Sequence, residues 1–384
     1  MANDTEKKVK SDSNGTTGGY RDRFWYPRFW DGLTIGPWLS MAAKNRFSFS
    51  PACLPMVGIV SMLSVTNSTL SLAQKMVYGR KIARTKIDKH PIFIIGHWRS
   101  GTTLLHELLV LDEQHTFPDT YTCFAPSHFV LSSPVVPKMC GFLMPKQRPM
   151  DNVRAGFGRP QEDEFAICNL GIPSPYRKMA FPNTVPQCEE YLDLDEIPEE
   201  ALRRWKQGFE WFLKSLTFKT PKRIVLKSPP HTARVKHLLD MFPDARFIHI
   251  VRDPYVLFPS TVNLWKRLYW DEGFHRPKYE GLEEYVFERF TQMYTAFERD
   301  RHLVPENRFA EVRYEDLVQD FPGRLKQIYG QLELDGFEAV EPKVQKYADR
   351  SKSYKTNKYE ISDEIRDEIA RRWRPYFEKY GYDL

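Results

Sequence analysis

Four short segments with apolar residues predict core strands, at Ile92–Ile95 and at residues 223–227, 246–251 and 308–313. The unbroken apolar run Ile92–Ile95 predicts a buried strand. Elsewhere the apolar period lengthens. Leu202, Trp205, Phe209, Phe212, Leu213 and Leu216 recur at helical spacing, predicting a helix over about 198–217 with Pro198 suited to its first turn. A last helix begins near Ser362, has Asp363 and Glu364 at its positive end, and carries Ile365, Ile369, Trp373 and Phe377 at four-residue steps. Strands alternating with helices predict an α/β fold, a parallel sheet with helices on both faces and ligands at the strands' carboxyl ends.

The flanks read differently. Residues 1–19 are small and polar, predicting a disordered tail with no secretory leader. Residues 20–88 predict an aromatic and basic helical extension. Tyr20, Phe24, Trp25, Tyr26, Phe29, Trp30, Trp38, Phe47 and Phe49 are interleaved there with Arg21, Arg23, Arg28, Lys44 and Arg46. The apolar stretch Ala52–Val65 runs into Thr66, Asn67 and Ser68 and reads as too short to span a bilayer. Three readings of this extension stand: helices packed on the main domain, a peripheral membrane contact through residues 20–65, or, last, a true transmembrane helix. Residues 112–190 are punctuated by proline, as in Ser132-Ser-Pro-Val-Val-Pro137, and predict a cap or acceptor-binding insertion in a domain spanning 89–384.

Candidate chemistry begins where the first strand ends. Gly96-His-Trp-Arg-Ser-Gly101-Thr-Thr103 has the glycine spacing of a nucleoside-triphosphate loop, whose backbone N–H groups and following helix start bind phosphate. The lysine such a loop uses on the β- and γ-phosphates is absent, since position 102 is Thr, and Arg99 stands before Ser100 instead. About 150 residues on, the strand 246–251 ends in Arg252-Asp-Pro254, with Ser260 eight positions past the arginine. Two anion sites at strand ends suggest a nucleotide phosphorylated at two places.

Taken together these motifs resemble the sulfotransferase family, which uses 3′-phosphoadenosine 5′-phosphosulfate (PAPS). The resemblance covers roughly residues 90–380. It implies a P-loop-like sheet, with Arg99, Ser100, Gly101, Thr102 and Thr103 holding the 5′-phosphosulfate and Arg252 and Ser260 the 3′-phosphate. Arg99 in place of lysine is similar to the tyrosylprotein and carbohydrate branches rather than the small-phenol branch. Lys227, in Ile224-Val-Leu-Lys-Ser-Pro-Pro-His231, resembles the Lys-x-Pro of the tyrosylprotein enzymes, where the lysine contacts the transferring group. Lys355, in a late basic loop, matches a segment that related enzymes fold over the nucleotide.

Sulfuryl transfer needs cations on the developing negative charge, a base for the acceptor proton and a dry pocket, and it requires no metal. Arg99 and Lys227 are the candidate cations. The family's glutamate after the first helix has no counterpart in Phe117-Pro-Asp-Thr-Tyr121, so the base is sought in Pro160-Gln-Glu-Asp-Glu-Phe165. Glu162 is the first candidate, Glu164 the second and His231 the rival. Tyr121, Phe124, Phe129, Phe142 and Met144 make the cap apolar, which favours a glycan or lipid hydroxyl acceptor over a small phenol. A net charge of +6 suits an anionic donor and is too evenly spread for nucleic acid. Five cysteines without metal-ligand spacing (Cys53, Cys123, Cys140, Cys168 and Cys188) read as reduced thiols in a cytoplasmic protein. Two rivals stand beside this reading: a P-loop kinase, which would need the missing lysine, and a non-catalytic nucleotide-binding protein at a membrane.

Overall fold

Alternate residues of each central strand face two separate hydrophobic clusters, which is why these strands read as unbroken apolar runs. The computed structural model describes residues 26–143, 156–351 and 359–384. Its sheet has five parallel strands, β1 (Ile92–Ile95), β2 (His115–Thr116), β3 (Arg223–Lys227), β4 (Arg246–Val251) and β5 (Phe309–Arg313), in the order β2-β3-β1-β4-β5. Phe93, Ile95, Ile224, Leu226, Phe247 and Val251 point to one face, and Ile92, Ile94, Val225, Ile248 and Ile250 to the other. Burying each such large side chain contributes about 1.5–3 kcal/mol. The α/β fold and four of the strands are as expected. The two-residue β2 is an addition, and it lies inside the segment 112–190.

The predicted helix over 198–217 is present as Glu199–Lys219 and buries Trp205, Phe209, Phe212, Leu213 and Leu216. The last helix is capped as expected, Ser362 Oγ accepting from Ile365 N at 3.4 Å. It differs in being two helices, Asp363–Arg372 and Arg374–Tyr380. Pro375 has no N–H to continue the first ladder, so the chain bends at Trp373, whose ring stacks on Phe290 at 3.7 Å.

The N-terminal extension departs most from expectation. Helix α1 (Ile35–Lys44) is followed by α2 (Leu54–Arg84), which runs 31 residues, straight through Thr66, Asn67 and Ser68. The stretch Pro51–Arg84 is thus long and apolar enough, by length and composition alone, to cross a membrane, contrary to the short element expected. The described aromatic residues of the extension divide, with Phe47 exposed and most of the others turned inward. Trp30 and Trp38 are buried in the cluster that also holds Phe93 and Phe165, and Phe29 and Phe49 pack against it. Tyr20, Phe24, Trp25, Arg21 and Arg23 lie outside the described residues.

Two carboxylates, the buried Glu272 and the half-buried Asp31, sit at the joint between the extension and the helix Pro254–Glu272. Glu272 accepts from Phe29 N at 3.0 Å, and its pKa is pushed up to about 8 by burial. Asp31 is raised to about 6 by the same cause. A raised carboxylate binds its proton more tightly folded than unfolded. Its contribution is therefore fully favourable below the unfolded value and is lost as pH rises through the folded one. Stability is expected to fall between about pH 4.5 and pH 8, by at most about 1.4 kcal/mol per pH unit for Glu272. Chemical denaturation at several pH values should show this slope, flattened in Glu272→Gln.

Candidate functional site

The parallel order places three carboxyl ends side by side, β3, β1 and β4, with Ile94 in register with Lys227. From β1 the chain turns through Gly96–Gly101 into helix α3 (Thr102–Leu109). Both glycines are required by the backbone. Gly96 has φ +143°, and a Cβ there would lie 2.5 Å from the Ile250 carbonyl oxygen; Gly101 has φ +106°, and a Cβ would lie 2.4 Å from the Tyr314 ring. Arg99 adopts φ +70°, a left-handed conformation that costs a non-glycine residue roughly 1–2 kcal/mol. Ser100 Oγ donates to the His97 carbonyl at 2.8 Å, closing the loop from within. His97 itself is fully buried, its pKa pushed down to about 3 by that burial, so it is neutral there. Gly101 caps α3 without a side chain, and the first-turn N–H groups have no intrahelical acceptor.

The two predicted anion sites touch. Arg99 Nε donates to Ser260 Oγ at 2.9 Å, and Arg252 Nη1 donates to the Arg99 carbonyl at 2.9 Å. The Arg252 guanidinium lies 4.1 Å over the Tyr314 ring, the same ring that packs on Gly101. Burial lowers the Arg252 pKa, although a guanidinium stays charged. Lys355 lies outside the described residues.

Lys227 ends β3 with its side chain almost fully buried, 1% exposed. Its Nζ donates to Glu162 Oε1 at 2.6 Å and to Thr103 Oγ1 at 3.4 Å. The other Glu162 oxygen accepts from Tyr176 Oη at 2.5 Å, and Trp98 Nε1 donates to that hydroxyl at 2.9 Å. Tyr176 is held protonated, its pKa raised well above the usual range by burial and then by the Glu162 charge.

The three consecutive carboxylates serve three different partners. Glu162 precedes the helix Asp163–Asn169 and is the one with an exposed edge, its side chain 16% exposed. Asp163 is fully buried between His231 Nε2 at 2.6 Å and Ser228 Oγ at 3.0 Å. Burial opposes its charge, but His231 and Ser228 outweigh that and hold its pKa below the usual value. Glu164 is fully buried against Arg234, at 2.6 and 3.1 Å, and Ser174 at 2.5 Å. Glu164 and His231, the other two candidate bases, are therefore built into the interior. His231 is also fenced by Phe93 and Phe209.

Trp98 lies within the loop already quoted and Tyr314 just past β5, but neither was given a role in the site from sequence; Tyr176 carried no signal, because its position follows from packing between distant segments. The aromatic residues assigned to a cap divide as well. Tyr121 and Phe129 are core, Phe142 is 82% exposed, and Met144 lies outside the described residues.

A family model described as the sulfotransferase family matches residues 91–339, which contain the loop, Glu162, Lys227 and Arg252. The chain belongs to the sulfotransferase family. It is 43% identical over 363 residues to the omega-hydroxy-beta-dihydromenaquinone-9 sulfotransferases Stf3 of Mycobacterium bovis and Mycobacterium tuberculosis, covering 94% of this chain and 93% of each relative. In fold it is similar to the crystal structure of sulfotransferase STF9 from Mycobacterium avium, with a TM-score of 0.69, 16% identity, and coverage of 92% and 98% of the two chains. Sulfotransferase STF1 from Mycobacterium tuberculosis has a TM-score of 0.59 at 16% identity, covering 89% of this chain and 91% of its own. This sulfotransferase thus moves a sulfuryl group to a hydroxyl acceptor, and the kinase reading of its loop is set aside.

Proposed function

We propose that this enzyme is a PAPS-dependent, cytoplasmic sulfotransferase whose acceptor is a hydroxylated membrane lipid of the prenylated-quinone class rather than a glycan. One observation carries the donor assignment: the loop Arg99–Thr103 and the Arg252/Ser260 pair are in direct hydrogen-bond contact at neighbouring strand ends. A donor bearing phosphate groups at both ends of one ribose suits two anion sites this close. The lipid acceptor is favoured by the identity over nearly full length to relatives named for a hydroxylated menaquinone.

In this reading the acceptor oxygen attacks sulfur, the bond from sulfur to the phosphate oxygen breaks, and 3′-phosphoadenosine 5′-phosphate (PAP) leaves. Glu162 takes the acceptor proton. Lys227 and Arg99 face the negative charge that builds on the leaving oxygen and the sulfonate. Before the donor binds, Lys227 is neutralised by Glu162 at 2.6 Å. The donor's charge draws the ammonium away and frees the carboxylate to act as base. Tyr176, anchored by Trp98, keeps Glu162 in place during that exchange.

Calorimetry with PAP, AMP and ATP tests the donor. PAP is expected to bind at least about tenfold more tightly than AMP, the difference resting on the 3′-phosphate. Turnover with PAPS and a terminally hydroxylated menaquinone tests the acceptor. Preference for ATP, or equal affinity for PAP and AMP, removes the donor reading. Turnover on oligosaccharides but not on the quinone removes the acceptor reading.

A further inference from the structure

Helix α2 is built inside out. Its buried positions past Val60 are Ser64, Asn67, Ser71 and Gln74, and Ile82 follows one helical stretch later. Its outer face carries Leu54, Met62, Val65, Leu72, Met76 and Val77, each more than half exposed. The inward polar groups are satisfied by the protein. Asn67 Nδ2 donates to the carbonyls of Asp31 at 2.7 Å and Leu33 at 3.0 Å, and its Oδ1 pairs with His128 Nε2 at 3.1 Å. Gln74 donates to the Ser127 carbonyl at 3.1 Å and accepts from Leu131 N at 3.1 Å. Polar anchoring thus holds the helix on the enzyme and leaves its apolar side outward. Helix α1 lies beside it, pinned by Trp38 Nε1 to Ser61 Oγ at 2.9 Å, and adds Ile35 and Leu39 to the exposed apolar residues. One helix presenting this many large apolar side chains to water is unusual for a surface facing solvent.

The charge pattern names the occupant. No Asp or Glu occurs from Gly32 to Ile87, although acids make up about one residue in eight of the whole chain. No charged residue of either sign occurs from Phe47 to Gln74. Lys44 and Arg46 precede that stretch, and Lys75, Arg80, Lys81, Arg84 and Lys86 follow it. An apolar face bounded at both ends by cations alone is complementary to a bilayer with anionic headgroups. A second copy of this chain is a poor fit, because an isologous contact would bring these cations together. A spanning arrangement is a poor fit as well, because it would strip Asn67 and Gln74 of their partners.

We propose that α1 and α2 form a docking face that lies in the plane of an anionic lipid surface, with the outer side chains of α2 inserted among the acyl chains. The docking is inferred from this surface alone; its use in capturing the acceptor rests on the proposed lipid substrate.

Co-sedimentation of the full chain with phosphatidylcholine vesicles containing about 30% phosphatidylglycerol tests it, with pure phosphatidylcholine as comparison. The chain should pellet with the anionic vesicles, at least about tenfold less with the neutral ones, and be released by alkaline carbonate. M62S/V65S/L72S/M76S should weaken partitioning by at least about tenfold while PAP binding, which reports an intact fold, is unchanged. Should that variant fail to fold, K75Q/R80Q/K81Q, at exposed positions, should lose the anionic preference instead. Failure of the full chain to pellet, retention by both variants, or resistance to carbonate would overturn the proposal. So would a dimer in sedimentation velocity that the serine variant dissociates. None of these outcomes depends on turnover, so they are distinct from failure of the lipid-acceptor reading.

Discussion

Glu162→Gln is expected to lower kcat by about two to four orders of magnitude with little change in PAP affinity. The amide keeps the shape and can still accept from Tyr176, but it cannot take a proton. Lys227→Ala should cost about two to three orders of magnitude through loss of transition-state stabilisation. The combined substitution should fall well short of the product of the two, because each residue already holds the other at 2.6 Å. Glu164→Gln provides the contrast. It leaves Arg234, which has no exposed surface, without a counter-charge, and should cost about 3–5 kcal/mol of folding stability. Its folded fraction should turn over at close to the normal rate. Single-turnover kinetics on purified, thermally characterised variants separates these outcomes. A Glu162→Gln enzyme with undiminished kcat would remove this carboxylate from proton transfer.

The second large effect is on donor binding. Arg252→Ala should weaken PAP by about 10- to 150-fold, the range for hydrogen bonds to charged groups, while AMP, which lacks the 3′-phosphate, changes much less. Arg252→Lys should rescue little of this. The planar guanidinium lies over Tyr314 and also donates to the Arg99 carbonyl, and an ammonium cannot keep that fork geometry. Parallel titrations of PAP and AMP read the difference directly. Equal losses for both ligands would mean that Arg252 shapes the Arg99 loop rather than meeting the 3′-phosphate.

Much of this was legible because it is local. Strands buried on both faces must be largely apolar runs, so β1, β3 and β4 stood out, and β5 was legible although its Glu311 is exposed, whereas the two residues of β2 are too short for any pattern. Gly96 and Gly101 sit at backbone angles and close approaches that exclude a side chain, so the loop is marked in the sequence itself. Arg252 and Ser260 could be nominated from their distance along one strand and helix. Glu162 and Glu164 could be ranked from sequence but their partners could not be read there, and three distant residues sort the carboxylates of this run: Lys227 for Glu162, His231 for Asp163 and Arg234 for Glu164. Tyr176 carried no signal, since it meets Glu162 only through packing among Phe165, Trp98 and Trp265. The same limit applied to α2. Asn67 and Ser68 read as the end of an apolar stretch because polarity along a chain does not say which way a side chain faces. The carbonyls of Asp31 and Leu33 and the ring of His128, all remote in sequence, turn Asn67 inward and leave Met62, Val65 and Leu72 outside. Backbone periodicity and steric exclusion act within a few residues and are written in the chain. Pairing of buried charges and the facing of a helix depend on neighbours that folding brings together.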